Sequence, residues 1–184
     1  MYSDAYYQSV EHSRQYHLRK NIYSGLATAD YRFYIKELVN KHKAKTLLDY
    51  GCGKAFHYFN KELCAEPFNG QTFDQWLNLE SYYLFDPCVD KFAKHPNEDA
   101  KFDSIIAIQS LSGIPDVDFP IVVNQLMKMT NKFCFIGTKL KKGKAAKRNP
   151  ALDKYYAQDR LDPDWWKEQF KDWQGSELVL KFID

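Results

Sequence analysis

Long apolar runs are missing from this chain. None of its 184 residues belongs to a stretch approaching the roughly 18 consecutive apolar residues of a membrane span. The opening MYSDAYYQSVEHSRQYH is polar and aromatic and lacks the apolar centre of a signal peptide. The four cysteines, Cys52, Cys64, Cys88 and Cys134, show no C-x-x-C spacing, so neither a redox pair nor a zinc motif is written in the sequence. Free thiols in a reducing, cytoplasmic setting are the expectation. A dominant charge is missing too. Lys+Arg number 26 and Asp+Glu 24, and net charge therefore nominates no partner. Internal repeats, low-complexity tracts and linkers are absent. The expectation is a single domain over 1–184, with an N-terminal helical cap over 1–43 and a core over 44–184.

What is present alternates. DYRFYIKELVNKH reads as a helix that Asp30 can cap, with Tyr31, Tyr34, Ile35, Leu38 and Val39 at helical spacing. KTLLDY reads as a strand and KAFHYFNKELC as helical. AEPFNGQTFDQWLNLE reads as an insertion with a short helix after Thr72, either a substrate rim or surface decoration. YYLFD is a second strand, and VDKFAKH a short helix stopped by Pro96. FDSIIAIQS, a continuous apolar run, suits a strand buried on both faces of a parallel sheet. Asp118 and Pro120 open a helix with Phe119, Val122, Val123 and Leu126 on its apolar side. KFCFIGT is a strand, Asp162-Pro163 starts a helix carrying Trp166, Phe170 and Trp173, and SELVLKFID is a last strand. Strands alternating with helices predict an α/β fold, a Rossmann-like three-layer sandwich with a mainly parallel sheet.

The chemistry concentrates at TLLDYGCGKAFHY. In open α/β sheets ligands bind beyond the carboxyl ends of the strands, where Gly51 and Gly53 lie. Residues without side chains let a ligand approach the backbone and permit unusual dihedrals. They can equally form a tight turn. A dinucleotide site needs G-x-G-x-x-G, and Phe56 occupies the third glycine position, which argues against a nicotinamide oxidoreductase. The nucleoside of S-adenosylmethionine has no phosphates to cradle. It carries an ammonium and a sulfonium, which favour an acid such as Asp49.

LLDYGCGKA resembles the first motif of the class I S-adenosylmethionine-dependent methyltransferases, with Ala55 where a further glycine is common. YLFDP is similar to their second motif, and FDSIIAIQSLSGIP resembles the strand that often reads FDxVxxxDVLEHIP. DPDWWKEQF resembles a late helix of small bacterial and phage-type members. The likeness runs from about Lys45 to Thr138. It implies S-adenosyl-L-methionine as cofactor, with the methionine part at Asp49, Tyr50, Gly51, Cys52 and Gly53. Asp86, followed by Pro87, would take the ribose hydroxyls, which a carboxylate with two acceptor oxygens suits. An acid before proline can also simply cap a turn. Gln109 and Ser110 would line the methyl-donor side. The implied activity is methyl transfer by in-line displacement to an unidentified acceptor. The alternative is a non-catalytic protein that keeps the cofactor, or only the scaffold, for interaction.

The departures matter. The interval from Asp86 to Phe102 is short, so a strand there is absent or reduced to a few residues near Glu98–Ala100, and adenine contacts are expected from His95 to Ala100. Where relatives carry D-V-L-E-H-I, this chain has Gln109-Ser110-Leu111-Ser112-Gly113-Ile114, and a possible general base is gone. His57, His12 and His17 are the remaining candidates. The segment with Tyr2, Tyr6, Tyr7, Tyr16 and Tyr23 either closes over the cofactor as a lid or packs on the sheet edge. Lys139, Lys141, Lys142, Lys144, Lys147 and Arg148 form a basic stretch on the ligand side. It is either a solvated loop or a contact for a phosphate-bearing or nucleic-acid substrate. No [DNS]-P-P-[YFW] and no Pro-Cys pair follows the FD strand, which removes the resemblance to DNA base methyltransferases.

Overall fold

Alternation along the strands dictates the layers. The computed structural model describes residues 1–19, 22–64, 66–97, 99–140 and 162–183. Its strands are β1 (Thr46–Tyr50), β2 (Ser81–Phe85), β3 (Phe102–Ile108), β4 (Thr130–Lys139) and β5 (Glu177–Ile183). They form one five-stranded sheet in the order β2-β1-β3-β4-β5, every neighbouring pair parallel. Successive side chains on a strand point to opposite faces. Leu47, Ile106, Phe133 and Phe135 accordingly build the core on one side. Leu48, Ile105, Ala107, Cys134 and Ile136 build it on the other.

Helices cover both faces. α2 (Arg32–His42) lays Ile35, Leu38 and Val39 on the first. α5 (Phe119–Met129) buries Phe119, Val122, Leu126 and Met129 on the second, where α6 (Pro163–Gln169) adds Trp166. Each fully buried side chain of this size contributes roughly 1.5–3 kcal/mol of transfer free energy. The result is a Rossmann-like three-layer α/β fold whose sheet is wholly parallel. Among the described residues no helix is long and apolar enough to cross a membrane.

Several local expectations change. Asp30 does not cap α2, because a 3₁₀ segment over Leu26–Tyr31 precedes it and Asp30 Oδ2 lies 3.0 Å from Lys139 Nζ. The helix expected over KAFHYFNKELC is a single turn, α3 (Phe56–Phe59). Asn60 ends it: its Oδ1 accepts the N–H groups of Glu62 and Leu63 at 3.0 and 3.3 Å, a local turn that competes with the helix. The insertion is neither rim nor decoration. Phe68, Phe73 and Leu77 enter the α2-side core, the last two from α4 (Phe73–Leu77), which Thr72 and Gln75 close with a capping box. The segment after Asp86 contains a 3₁₀ turn at Asp90–Phe92, and no strand is found among the described residues from there to Ala100.

The aromatic N-terminal stretch folds as α1 (Asp4–His17), capped by Ser3. Asp118, at the start of α5, accepts both the backbone N–H and the hydroxyl of Ser3 at 2.7 and 2.5 Å. Ser9 Oγ donates to the Gly113 carbonyl at 2.8 Å, and Arg14 donates to the Pro87 carbonyl at 3.1 Å. Gly113 follows β3 and Pro87 follows β2. α1 therefore lies across the carboxyl ends of β2, β1 and β3.

Candidate functional site

Beneath α1 is a cavity of about 430 Å³. Its floor is the loop after β1 together with the residues after β2 and β3. Asp49, Tyr50, Gly51, Cys52, Gly53, Asp86, Pro87, Gln109 and Ser110, the residues that the resemblance assigns to the methionine, ribose and methyl-donor parts of the cofactor, all line it. Its roof is Tyr6, Ser9, Val10, Ser13 and His17, one face of α1 at three- and four-residue spacing. Of these, Tyr6 and His17 are the residues that the sequence points to, as part of a possible lid and as a candidate base. The sequence does not point to Ser9, Val10 and Ser13, because they give no hydrophobic stripe to find them by.

The two glycines touch the protein's own chain. Gly51 has φ +82°, and a Cβ there would stand 2.1 Å from the Ser110 Cβ. Gly53 has φ +59°, and a Cβ there would stand 2.3 Å from the Tyr23 carbonyl oxygen. The space a side chain would take is filled by Ser110 at Gly51 and by the Tyr23–Ser24 strap at Gly53. The loop amides follow suit. Gly51 and Cys52 donate to the Phe85 carbonyl at 2.6 and 3.1 Å, and Lys54 and Phe56 donate to the carbonyls of Tyr23 and Ser24 at 2.8 and 2.9 Å. Gly53 donates to Asp86 Oδ2 at 2.8 Å and Ala55 to the Cys52 carbonyl at 3.1 Å. Every backbone N–H from Gly51 to Phe56 is engaged within the chain, so the loop offers no amide cradle for phosphate.

The polar side chains carry what remains. Asp86, only 6% exposed, accepts Gly53 N–H on Oδ2 and Cys88 N–H on Oδ1, both at 2.8 Å. Burial raises its carboxyl above the ordinary aspartate range, opposed by the nearby His17 and by those two N–H groups. Each oxygen keeps a second acceptor position. Asp49 is 2% exposed, and its buried Oδ2 makes no aligned hydrogen bond among the described residues. Gln109 is held at φ +54° by its N–H to the Gly137 carbonyl at 2.7 Å, and its buried Nε2 likewise has no aligned partner among the described residues. Ser110 Oγ donates to the Tyr50 carbonyl at 2.7 Å.

The three candidate histidines part company. His57 is fully buried between the rings of Tyr58 and Phe73 and faces Asp49 Oδ2 at 3.3 Å without hydrogen-bond alignment; it does not line the cavity. His12 packs on Tyr16 outside it. His17 lines the cavity, stacked on Tyr23 with ring centroids 4.5 Å apart, and burial lowers its affinity for a proton. Burial also pushes the Cys88 thiol up to about 12, with Asp86 adding to the shift. No described residue between His95 and Ala100 lines the cavity; His95 packs instead on Tyr50 and Phe85. Of the basic stretch, Lys139 pairs with Asp30, whereas Lys141, Lys142, Lys144, Lys147 and Arg148 lie outside the described residues. The chain matches no family model, no curated protein and no solved structure.

Proposed function

We propose that this chain binds S-adenosyl-L-methionine in the cavity under α1 and transfers its methyl group to an acceptor. The observation that carries this reading is convergence: residues nominated from three separated motifs meet in one cavity at the carboxyl ends of β1, β2 and β3. The fit of the cofactor is supported on three further grounds. The volume falls within the roughly 300–1,000 Å³ of small-molecule sites. The lining holds two buried carboxylates and neither lysine nor arginine, which suits a cationic ligand without phosphate. Asp49 Oδ2, 3.3 Å from His57 Nε2, and Gln109 Nε2 are buried polar atoms that make no aligned hydrogen bond among the described residues.

The cofactor supplies an activated methyl group on a positively charged sulfur. The residues of the chain hold and enclose it. Asp49 takes the ammonium end, Asp86 accepts the ribose hydroxyls on its remaining lone pairs, and Gln109 and Ser110 form the wall on the reacting side. The α1 roof excludes water. Proximity and alignment supply the bulk of the acceleration in such a displacement. No acidic or histidine side chain stands at positions 109–114 after β3, so an acceptor that reacts without losing a proton first is favoured. The same absence favours, as a second reading, a protein that binds the cofactor without turnover.

Calorimetry with S-adenosylmethionine and S-adenosylhomocysteine tests the proposal. Micromolar binding weakened at least about tenfold by Asp49→Asn is expected, since a buried charged partner is worth about 1.5–3 kcal/mol. Absence of binding by the wild-type chain to either compound overturns it. Methyl-labelled cofactor with cell extract then separates the two readings: label transferred to an acceptor supports catalysis, and binding without transfer supports the second.

A further inference from the structure

We propose that His17, Asp86 and Cys88 form a binding site for a divalent cation of the zinc type, and that its occupation withdraws Asp86 from the ribose position. The second half rests on the cofactor reading above; the first does not.

The donor atoms of these three side chains all lie within 4.8 Å of one another. They come from different parts of the fold: the last turn of α1, the residue after β2, and the turn that follows. Ligands sharing one tetrahedral zinc stand about 3.5 Å apart, given bonds of about 2.0–2.3 Å, so closure requires a contraction of no more than about 1.3 Å. Each group is prepared for the task. His17 Nδ1 is buried with no hydrogen-bond partner among the described residues. The Asp86 carboxylate is oriented by the N–H groups of Gly53 and Cys88, the kind of outer support that fixes metal ligands, and each oxygen retains a lone pair. Cys88 Sγ makes a weak 3.5 Å contact with the Val10 carbonyl and lies beside the Asp86 carboxylate.

The donor set selects the ion. Nitrogen, oxygen and sulfur together suit zinc and its neighbours, whereas magnesium and calcium want oxygen alone. All three side chains line the main cavity, so the fourth coordination position opens toward it, as in sites that keep a place for water or a ligand. His17 and Cys88 also wall a second, more open pocket of about 340 Å³ that includes Glu11 and Asp90, which gives an ion a route from outside. Arg14 and Lys54 border that route but are turned to other acceptors, the Pro87 and Arg19 carbonyls. Because Asp86 would serve both ligands, metal and cofactor exclude each other.

The full-length reduced chain is titrated with Co²⁺ in place of zinc, following the thiolate-to-cobalt charge-transfer absorption. A band that saturates at one equivalent, bleaches on adding Zn²⁺ and disappears in Cys88→Ser supports the site. Cys64 and Cys134 are 0% exposed and do not line the cavity, and the Cys88→Ser variant separates Cys88 from Cys52, which does. No band in the wild type, or a band that persists in Cys88→Ser, overturns it. Should Cys88→Ser fail to fold, His17→Gln decides: affinity weakened about tenfold or more supports the site and unchanged affinity overturns it. S-adenosylhomocysteine titrations with and without saturating Zn²⁺ test the exclusion. Equal binding in both overturns it, and loss of binding with Zn²⁺ supports it. A cobalt band in a chain that never binds S-adenosylhomocysteine keeps the metal site and removes the cofactor reading, and the reverse result does the opposite.

Discussion

Gly51→Ala combined with Ser110→Gly puts a number on the contact at the heart of the site. Alanine at position 51 must hold φ +82°, and its Cβ falls 2.1 Å from the Ser110 Cβ. The left-handed conformation costs about 1–2 kcal/mol for a residue with a Cβ. Forcing apart two groups with no room between them adds about 1–3 kcal/mol, the usual range for overpacking. The single variant is therefore expected to lose roughly 2–5 kcal/mol. Ser110→Gly removes the hydroxyl that donates to the Tyr50 carbonyl at 2.7 Å and frees the local backbone, together about 1–2 kcal/mol. In the double variant the conformational cost stays and the collision goes. The two substitutions should then be non-additive in the stabilising direction by about 1–3 kcal/mol. Urea unfolding of the four proteins without ligand measures this. Additivity within about 0.5 kcal/mol would refute the claim that Gly51 is glycine because of Ser110 rather than because of a ligand.

Three further perturbations probe other levels. Asp118→Ala, which frees the N–H and hydroxyl of Ser3, should cost about 2–3 kcal/mol and speed hydrogen exchange in α1 selectively; unchanged α1 exchange would show that the roof is held by other contacts. Trp166→Ala empties a site that is 1% exposed beside Phe119, and should cost about 3–5 kcal/mol in chemical unfolding; a loss under about 1 kcal/mol would show that α6 is dispensable to the core. Asp103 carries a pH dependence: burial raises its carboxyl, but the Lys45 N–H at 2.7 Å and the Lys132 ammonium at 3.0 Å outweigh this and leave it below 3.8. A carboxylate depressed on folding gives stability that is present above the unfolded value and lost as pH falls through the folded one. The stability gap between wild type and Asp103→Asn should thus be widest above pH 3.8 and narrow below it, and a gap independent of pH would remove this ion pair from the account.

Much of the layer structure was legible because periodicity reports burial directly. FDSIIAIQS and KFCFIGT became β3 and β4, covered on both faces, and Pro120 and Asp162-Pro163 marked helix starts through backbone chemistry that operates locally. Illegible features were those decided at a distance. Ser3 meets Asp118 across 115 positions, and no local pattern announces it. Phe68 and Phe73 read as insertion because each is an isolated aromatic; they enter the core only once the chain has turned back to α2. KAFHYFNKELC looked helical by composition, yet His57 and Tyr58 are both buried, which no single helical face allows for long, and Asn60 offers the backbone a competing turn. At the site the acids and glycines could be named from order and spacing, whereas the neighbours of those glycines, Ser110 and the Tyr23 carbonyl, come from remote segments.

The engaged loop amides change what kind of ligand this cavity can hold. In a phosphate site the glycine loop contributes positive ends of N–H dipoles; here those from Gly51 to Phe56 are directed at the chain's own acceptors. The floor is left with side-chain character, and that character is acidic, with Asp49 and Asp86 buried on it and no lysine or arginine on any described part of the lining. Burial, with Asp49 nearby, raises the cost of ionising Asp86, and that cost falls when a positive charge enters. A sulfonium with its ammonium supplies such a charge from inside the cavity, and a zinc-type cation supplies it through His17, Asp86 and Cys88. The same electrostatic deficit therefore underlies both proposals and makes the two occupants rivals. A nicotinamide dinucleotide, bringing negative phosphates to a floor without free amides, would deepen the deficit, which argues against it on charge as Phe56 does on packing.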